Sequence, residues 1–135
     1  MFFLDTNVII AVMNRRDSAL DARLQYEIAG GSTLIVPVPV LFALRYGAAK
    51  SQNPQRNHER IDVFLTAVTE VVDFDDADAD EAGEIRAFLE KIGAPIGPYD
   101  LLIAAQARRR EAILVTANRR EFERVPGLMV TDWRT

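Results

Sequence analysis

The sequence predicts an α/β fold, a central and mostly parallel β-sheet flanked by helices on both faces, as one domain over residues 1–135. Three observations carry that prediction. Short apolar runs recur without polar alternation, the pattern of parallel strands covered on both sides. Longer segments between them repeat apolar residues at helical spacing. Strands alternating with helices imply crossover connections, and the right hand of such crossovers distributes the helices over both faces.

Residues 1–4 read as the first strand. A helix over 19–28 carries Leu20, Leu24 and Ile28 on related faces and stops at Gly30-Gly31. The second strand is expected over 33–36. After Pro37 and Pro39, residues 40–50 are rich in Leu and Ala and read as a helix. A further helix over 60–68 spaces Ile61, Phe64, Leu65 and Val68 along one face. Residues 70–73 give a third strand. Residues 78–92 form a helix with Ala82, Ile85, Leu89 and Ile92 in a stripe, ended by Gly93. Pro98 suits a first helical position and opens a helix over 98–110. Strands over 113–116 and 128–130 complete the pattern.

The chain has no cysteine and a single histidine, His58. Disulfides and thiolate metal sites are therefore excluded, and a reducing, cytoplasmic location is the expectation. One histidine cannot build an imidazole-rich zinc site. Any metal must be held by oxygen, which points to magnesium or manganese. No leader is evident at the start, and no apolar run approaches a membrane-spanning length.

The net charge of −4 argues against a nucleic-acid partner, but the distribution is uneven. Seven acidic residues and no basic ones lie in 73–84, so the rest of the chain is net positive. Arg15 and Arg16, Arg108 to Arg110, and Arg119, Arg120 and Arg124 form basic clusters. They read either as solvated helix faces or as a basic rim beside an acidic site. No basic platform interleaved with aromatics is visible, so no stacking of single-stranded nucleic acid is expected.

Ligands of open parallel sheets gather beyond the carboxyl ends of the strands, so the residues after each strand matter most. Asp5 follows the first strand, in Leu4-Asp5-Thr6-Asn7. It reads as a helix N-cap or as an acid of a site. Asp100 falls in the first turn of its helix, where the helix dipole favours a carboxylate. Yet it shares a face with Ile103, Ala104 and Ala107, where an acid is costly unless paired or bound to metal. Asn118 follows the fourth strand, and Asn118 with Glu121 has the spacing of a reciprocal cap. Asp5, Asp100 and Asn118 thus stand at three element ends able to converge, and clustered carboxylates call for a cation.

Four segments resemble the VapC-type toxins of the PIN-domain family, in order: Phe3-Leu4-Asp5-Thr6-Asn7, Leu44-Arg45-Tyr46-Gly47, Ile96-Gly97-Pro98-Tyr99-Asp100-Leu101-Leu102, and Thr116-Ala117-Asn118-Arg119-Arg120-Glu121-Phe122. Asp132-Trp133 also looks like that family's ending, and the likeness spans nearly the whole chain. It implies a PIN-like fold and a magnesium-dependent endoribonuclease toxin. The family's second motif has an acid where this sequence has Ala43. With the other motifs kept, we read that alanine as engineered; a natural, weakened site is the other reading. The resemblance assigns Asp5, Asp100 and Asn118 to catalysis, with Ala43 marking the missing acid. It assigns Asp5 and Asp100 to a Mg²⁺ or Mn²⁺ ion, with Thr6, Asn7, Thr116 and Glu121 in support. Arg15, Arg16, Arg108, Arg119 and Arg120 are the candidates for guiding RNA phosphates. The implied partners are RNA, an antitoxin protein and a second copy of the chain. The acidic segment 73–84 either attracts a basic antitoxin peptide or is solvated. The alternative function is a catalytically inactive RNA- or protein-binding module.

Overall fold

The computed structural model describes residues 1–134. Five parallel strands form one sheet in the order β3-β2-β1-β4-β5. They are β1 (Phe2–Leu4), β2 (Leu34–Pro37), β3 (Glu70–Val72), β4 (Ile113–Val115) and β5 (Met129–Thr131). All five agree with the sequence reading to within a residue or so at each end. The outer strands are more open than expected, with Glu70 and Val71 of β3 and Met129 of β5 exposed, because each has a neighbour on one side only.

Seven helices among the described residues connect the strands: α1 (Thr6–Met13), α2 (Ser18–Ala29), α3 (Val38–Ala49), α4 (Pro54–Leu65), α5 (Asp76–Lys91), α6 (Pro98–Arg109) and α7 (Arg119–Phe122). The chain steps outward from β1 through β2 to β3, then returns to the other side of β1 for β4 and β5. Right-handed crossovers place helices of the two directions on opposite faces.

Local chemistry fixes where the helices begin. Asp5, Asp17, Asn53 and Asp75 each accept a backbone N–H at a helix start. The expected helix 60–68 begins earlier, at Pro54, because Asn53 caps it and Pro54 takes the first turn. Helix α3 begins at Val38 with Pro37 as its cap residue. Gly31 and Gly93 follow α2 and α5 at φ +77° and +71°, where a side chain would strain the backbone.

Phe3, Leu4, Val36, Leu114 and Val115 fill the centre of the sheet under Ile9, Val40, Ile103, Ala104, Ala105 and Ala107. The buried Gln106 of α6 donates from Nε2 to the carbonyls of Val72 (3.3 Å) and Asp73 (3.2 Å), tying α6 to the end of β3.

The acidic segment and the arginines of α6 resolve each other. Asp78 is fully buried and accepts from Arg109 Nε (2.7 Å) and from Arg110 Nη1 (2.7 Å) and Nη2 (3.1 Å). Asp75 pairs with Arg109 Nη2 at 2.9 Å, and Glu81 with Arg108 Nε at 2.7 Å. Asp75, Asp78 and Glu81 thus clamp α5 to α6, while Asp73, Asp76, Asp80 and Glu84 are exposed, as the solvated reading has it. Arg108, expected to guide RNA, is held by Glu81 and by the Pro126 carbonyl (3.1 Å).

Candidate active site

The strand order reverses between β1 and β4, and Asp5 and Thr116 directly follow the carboxyl ends of these two strands. In an open parallel sheet that point forms a crevice, because the flanking connections leave in opposite directions.

Asp5 is buried there. One oxygen, Oδ1, accepts the Thr6 N–H at 2.8 Å, and the other, Oδ2, accepts the Thr116 hydroxyl at 2.8 Å. Cap and site readings thus describe the same carboxylate, with one oxygen turned each way. Burial raises its pKa, the bonds from Thr116 and Thr6 pull it down, and the charge of Glu121 pushes it up again.

Thr116 is itself fully buried, and its Oγ1 accepts the Asn118 N–H at 3.0 Å. Asn118 makes no side-chain cap for α7, contrary to the expected reciprocal cap. Its Nδ2 donates instead to Glu121 Oε2 at 2.7 Å. The other Glu121 oxygen, Oε1, accepts the Gly97 N–H at 2.8 Å, across 24 residues of sequence. Long-range pairing drew Glu121 away from the local cap.

Asp100 lies in the first turn of α6 and is half-buried. Its pKa is pushed up to about 7 by burial, by the charges of Glu121 and Asp5, and by a hydrogen bond shared with Glu121. Glu121 moves the opposite way, mainly because the Gly97 N–H stabilises its charge. Three carboxylates, from the cap of α1 and from α6 and α7, therefore feel one another, and no cationic side chain figures among the groups shifting Asp5 or Asp100. The ordinary remedy for such unbalanced charge is a cation. Oxygen donors of this kind suit magnesium, which takes one or two carboxylates and keeps several waters. Among the described residues, no three His, Cys, Asp or Glu side chains are arranged to hold a metal together.

Ala43 is half-buried on α3, beside a cavity of about 230 Å³ that it shares with Ile10, Met13, Asn14 and Arg60. Its methyl is not among the carboxylates. Helical side chains lean toward the helix start, and α3 starts at the carboxyl end of β2, so a longer side chain at 43 would extend toward the strand ends.

Asn7 is exposed in the first turn of α1. Arg119 and Arg120 are exposed beside Asn118, and Arg119 pairs with Glu123 at 3.2 Å. Arg15 and Arg16 are exposed beyond the far end of α1, an eight-residue helix about 12 Å long, and so stand away from Asp5.

One group was missed in the sequence. Phe42, Tyr46 and Tyr99 are each more than half exposed and touch ring to ring, Phe42–Tyr99 at 5.6 Å and Phe42–Tyr46 at 6.5 Å. The signal was present as an i, i+4 aromatic pair beside Ala43 and a tyrosine beside Asp100. Only the packing of α3 on α6 joins them. A cavity of about 850 Å³ lies elsewhere, between α1, α2 and α4.

A five-stranded parallel sheet in this order, with acids meeting at its switch point, defines a PIN-like nuclease architecture. The PIN domain pattern matches residues 2–128, and the chain belongs to that family. Within it, the chain is 43% identical over 132 residues to the tRNA(fMet)-specific endonuclease VapC of Shigella flexneri, covering 98% of this chain and 97% of the relative. Two solved structures are also similar. The VapBC2 structure from Rickettsia felis, bound to a promoter DNA fragment, has a TM-score of 0.91 at 34% identity and covers 98% of both chains. The DNA-bound VapBC structure from Salmonella typhimurium has a TM-score of 0.89 at 37% identity, covering 98% of this chain and 97% of that one.

Proposed function

We propose that this chain is a divalent-metal-dependent endoribonuclease, the toxin of a VapBC-type pair, impaired as it stands by Ala43. The observation that carries the reading is the meeting of Asp5, Asp100 and Glu121 at the switch point, where the charges of Glu121 and Asp5 push the Asp100 carboxyl up. The ribonuclease relatives support RNA as the substrate.

Asp5 and Asp100 would hold the ion, Mg²⁺ or Mn²⁺. The chemistry such a cation supplies is activation of water and neutralisation of charge on the departing oxygen. Thr116 and the Thr6 N–H fix the rotamer of Asp5. Gly97 and Asn118 hold Glu121 beside Asp100, and Asn118 keeps its side-chain oxygen to accept from a water. Arg119 and Arg120, exposed next to Asn118, are placed to meet RNA phosphates, an effect that weakens with salt.

The reading includes an antitoxin protein, a homodimer and a cytoplasmic location. The solved VapBC structures support the first. No helix among the described residues is long and apolar enough to cross a membrane. The cavity between α1, α2 and α4 has Val12, Leu24, Ile28 and Phe64 in its wall and arginines at its rim, a surface for an amphipathic antitoxin helix.

The test is cleavage of total RNA by this chain and by its Ala43→Glu variant, with and without magnesium. Strong magnesium-dependent cleavage by the variant, and cleavage weaker by orders of magnitude from the parent, is the expected result. Equal cleavage by both refutes the role given to position 43. No cleavage by either refutes the nuclease reading and leaves the alternative, an inactive binding module.

A further inference from the structure

The aromatic strip on α3 and α6 lies outside the chemistry described above, and its arrangement suits one kind of contact. Tyr99 precedes Asp100 in the first turn of α6, and Phe42 precedes Ala43 on α3. The two rings meet at 5.6 Å, so the strip begins where the site's own residues stand. It continues along α3 through Tyr46, stacked on Phe42 at an interplanar angle of 20°, and ends at the Lys50 ammonium, 4.6 Å from the Tyr46 ring centre. Phe42 is 51% exposed, and Tyr46 and Tyr99 are each 57% exposed. Exposed rings in a row are uncommon on a surface with no partner. Helix α3 has no acidic residue to repel a phosphate backbone.

Resting on the nuclease reading, we propose that Tyr99, Phe42 and Tyr46 form a stacking platform for the bases of single-stranded RNA. The platform positions the strand beside Asp100, with Lys50 meeting a phosphate at its outer end. Aromatic faces accept any base, so the platform selects for unpaired nucleotides rather than for sequence. A duplex keeps its bases stacked on one another and gains nothing from these rings. The three residues touch substrate as positioning groups and leave the chemistry to the carboxylates.

The test uses the full chain and a short, end-labelled, mixed-sequence oligoribonucleotide, offered single-stranded and as a duplex. Tyr99→Leu and Phe42→Leu keep apolar bulk and remove the ring; Tyr99→Phe keeps the ring. The dissociation constant for the single strand is expected to rise about tenfold in each leucine variant and to stay within about twofold in Tyr99→Phe. Duplex binding should not change. In an Ala43→Glu background the same leucine changes raise KM and leave kcat nearly as it was. If the Ala43→Glu protein cleaves RNA and the leucine variants match it in affinity and KM, the platform is wrong and the nuclease reading stands. Ring-dependent binding without cleavage by Ala43→Glu supports the platform and refutes the nuclease. If the leucine variants instead dissociate a dimer in sedimentation while RNA affinity is unchanged, the strip belongs to a second copy of the chain and the platform is overturned.

Discussion

The Thr116 hydroxyl donates to Asp5 Oδ2 at 2.8 Å, joining the carboxyl ends of β1 and β4 at the one place where the sheet changes direction. The same oxygen of Thr116 accepts the Asn118 N–H at 3.0 Å, so one buried hydroxyl sets both an acid and the loop that carries Asn118 and Glu121. Replacing it with a methyl, Thr116→Val, keeps the volume and removes both bonds. The protein should lose about 1–3 kcal/mol of stability, the usual cost of leaving buried polar partners unmet, read by denaturant unfolding. The Asp5 pKa, already raised, should rise further because its largest lowering contact is gone. Metal affinity should fall with it, since a ligand carboxylate must be ionised. A variant with unchanged stability and metal affinity would show that the bond is incidental.

Asp100 supplies a pH dependence with a definite sign. Its folded pKa is about 7 and its unfolded value 3.8, so in the metal-free protein its proton stabilises the fold. That contribution is complete below about pH 4 and disappears as pH rises through about 7. Because Asp100 is only half-buried, solvent screens the effect and its size falls short of the full shift. Carboxyl NMR should show Asp100 titrating near neutrality without metal. Magnesium should lower that midpoint, and Glu121→Gln should lower it by removing a repelling charge. A midpoint near 4 in the metal-free protein would contradict the crowding of carboxylates described above.

How much of this was legible in the sequence follows from the range of each interaction. Strands and most helices announced themselves through local signals: apolar runs, the glycine stops, and Pro98 at a first turn. The start of α4 at Pro54 was equally local, but the polar residues around His58 masked it, because the amphipathic stripe begins only at Ile61. What local reasoning could not see was pairing between distant segments. Glu121 was expected to cap α7 and bonds Gly97 instead, 24 positions away. Arg108 was expected at an RNA surface and meets Glu81, 27 positions away. The aromatic strip exists only because α3 packs on α6. Asp5 and Asp100 could be singled out as candidates because each sits at an element end whose position the fold dictates.

The clamp between α5 and α6 should govern acid stability. Burial of Asp78 on its own would raise its pKa, but bonds from Arg110 and Arg109 outweigh it and bring the value down to about 2. The stability it supplies is present above the unfolded value of 3.8 and disappears as pH falls toward about 2. Asp78→Asn keeps the shape, removes the charge and strands two arginines. About 2–4 kcal/mol of destabilisation at neutral pH is expected, and the fall in stability between pH 4 and 2 should be smaller in the variant than in the parent. Chemical unfolding across that pH range measures both. Because α6 carries Asp100, loss of the clamp should also blur the site, and cleavage by Ala43→Glu should drop when Asp78→Asn is added to it.

Position 43 allows the metal to be tested without RNA. The parent has Asp5 and Asp100 to hold a cation, and Ala43→Glu adds a carboxylate able to lean toward the strand ends. Without metal, that added charge joins a group already short of cations, so the variant should melt below the parent. With magnesium the order should reverse. A ligand that binds only the folded state stabilises it according to its concentration relative to its dissociation constant, by about 2.7 kcal/mol at a hundredfold excess. A tighter site therefore gains more from the same magnesium. Asp100→Asn, added to either chain, should erase most of the magnesium effect while raising the metal-free melting temperature, since it removes the most strained carboxylate. Melting curves in chelator and in a magnesium series decide the matter. If glutamate at 43 leaves the magnesium dependence unchanged, its side chain does not reach the ion, and the link between Ala43 and impaired catalysis fails with it.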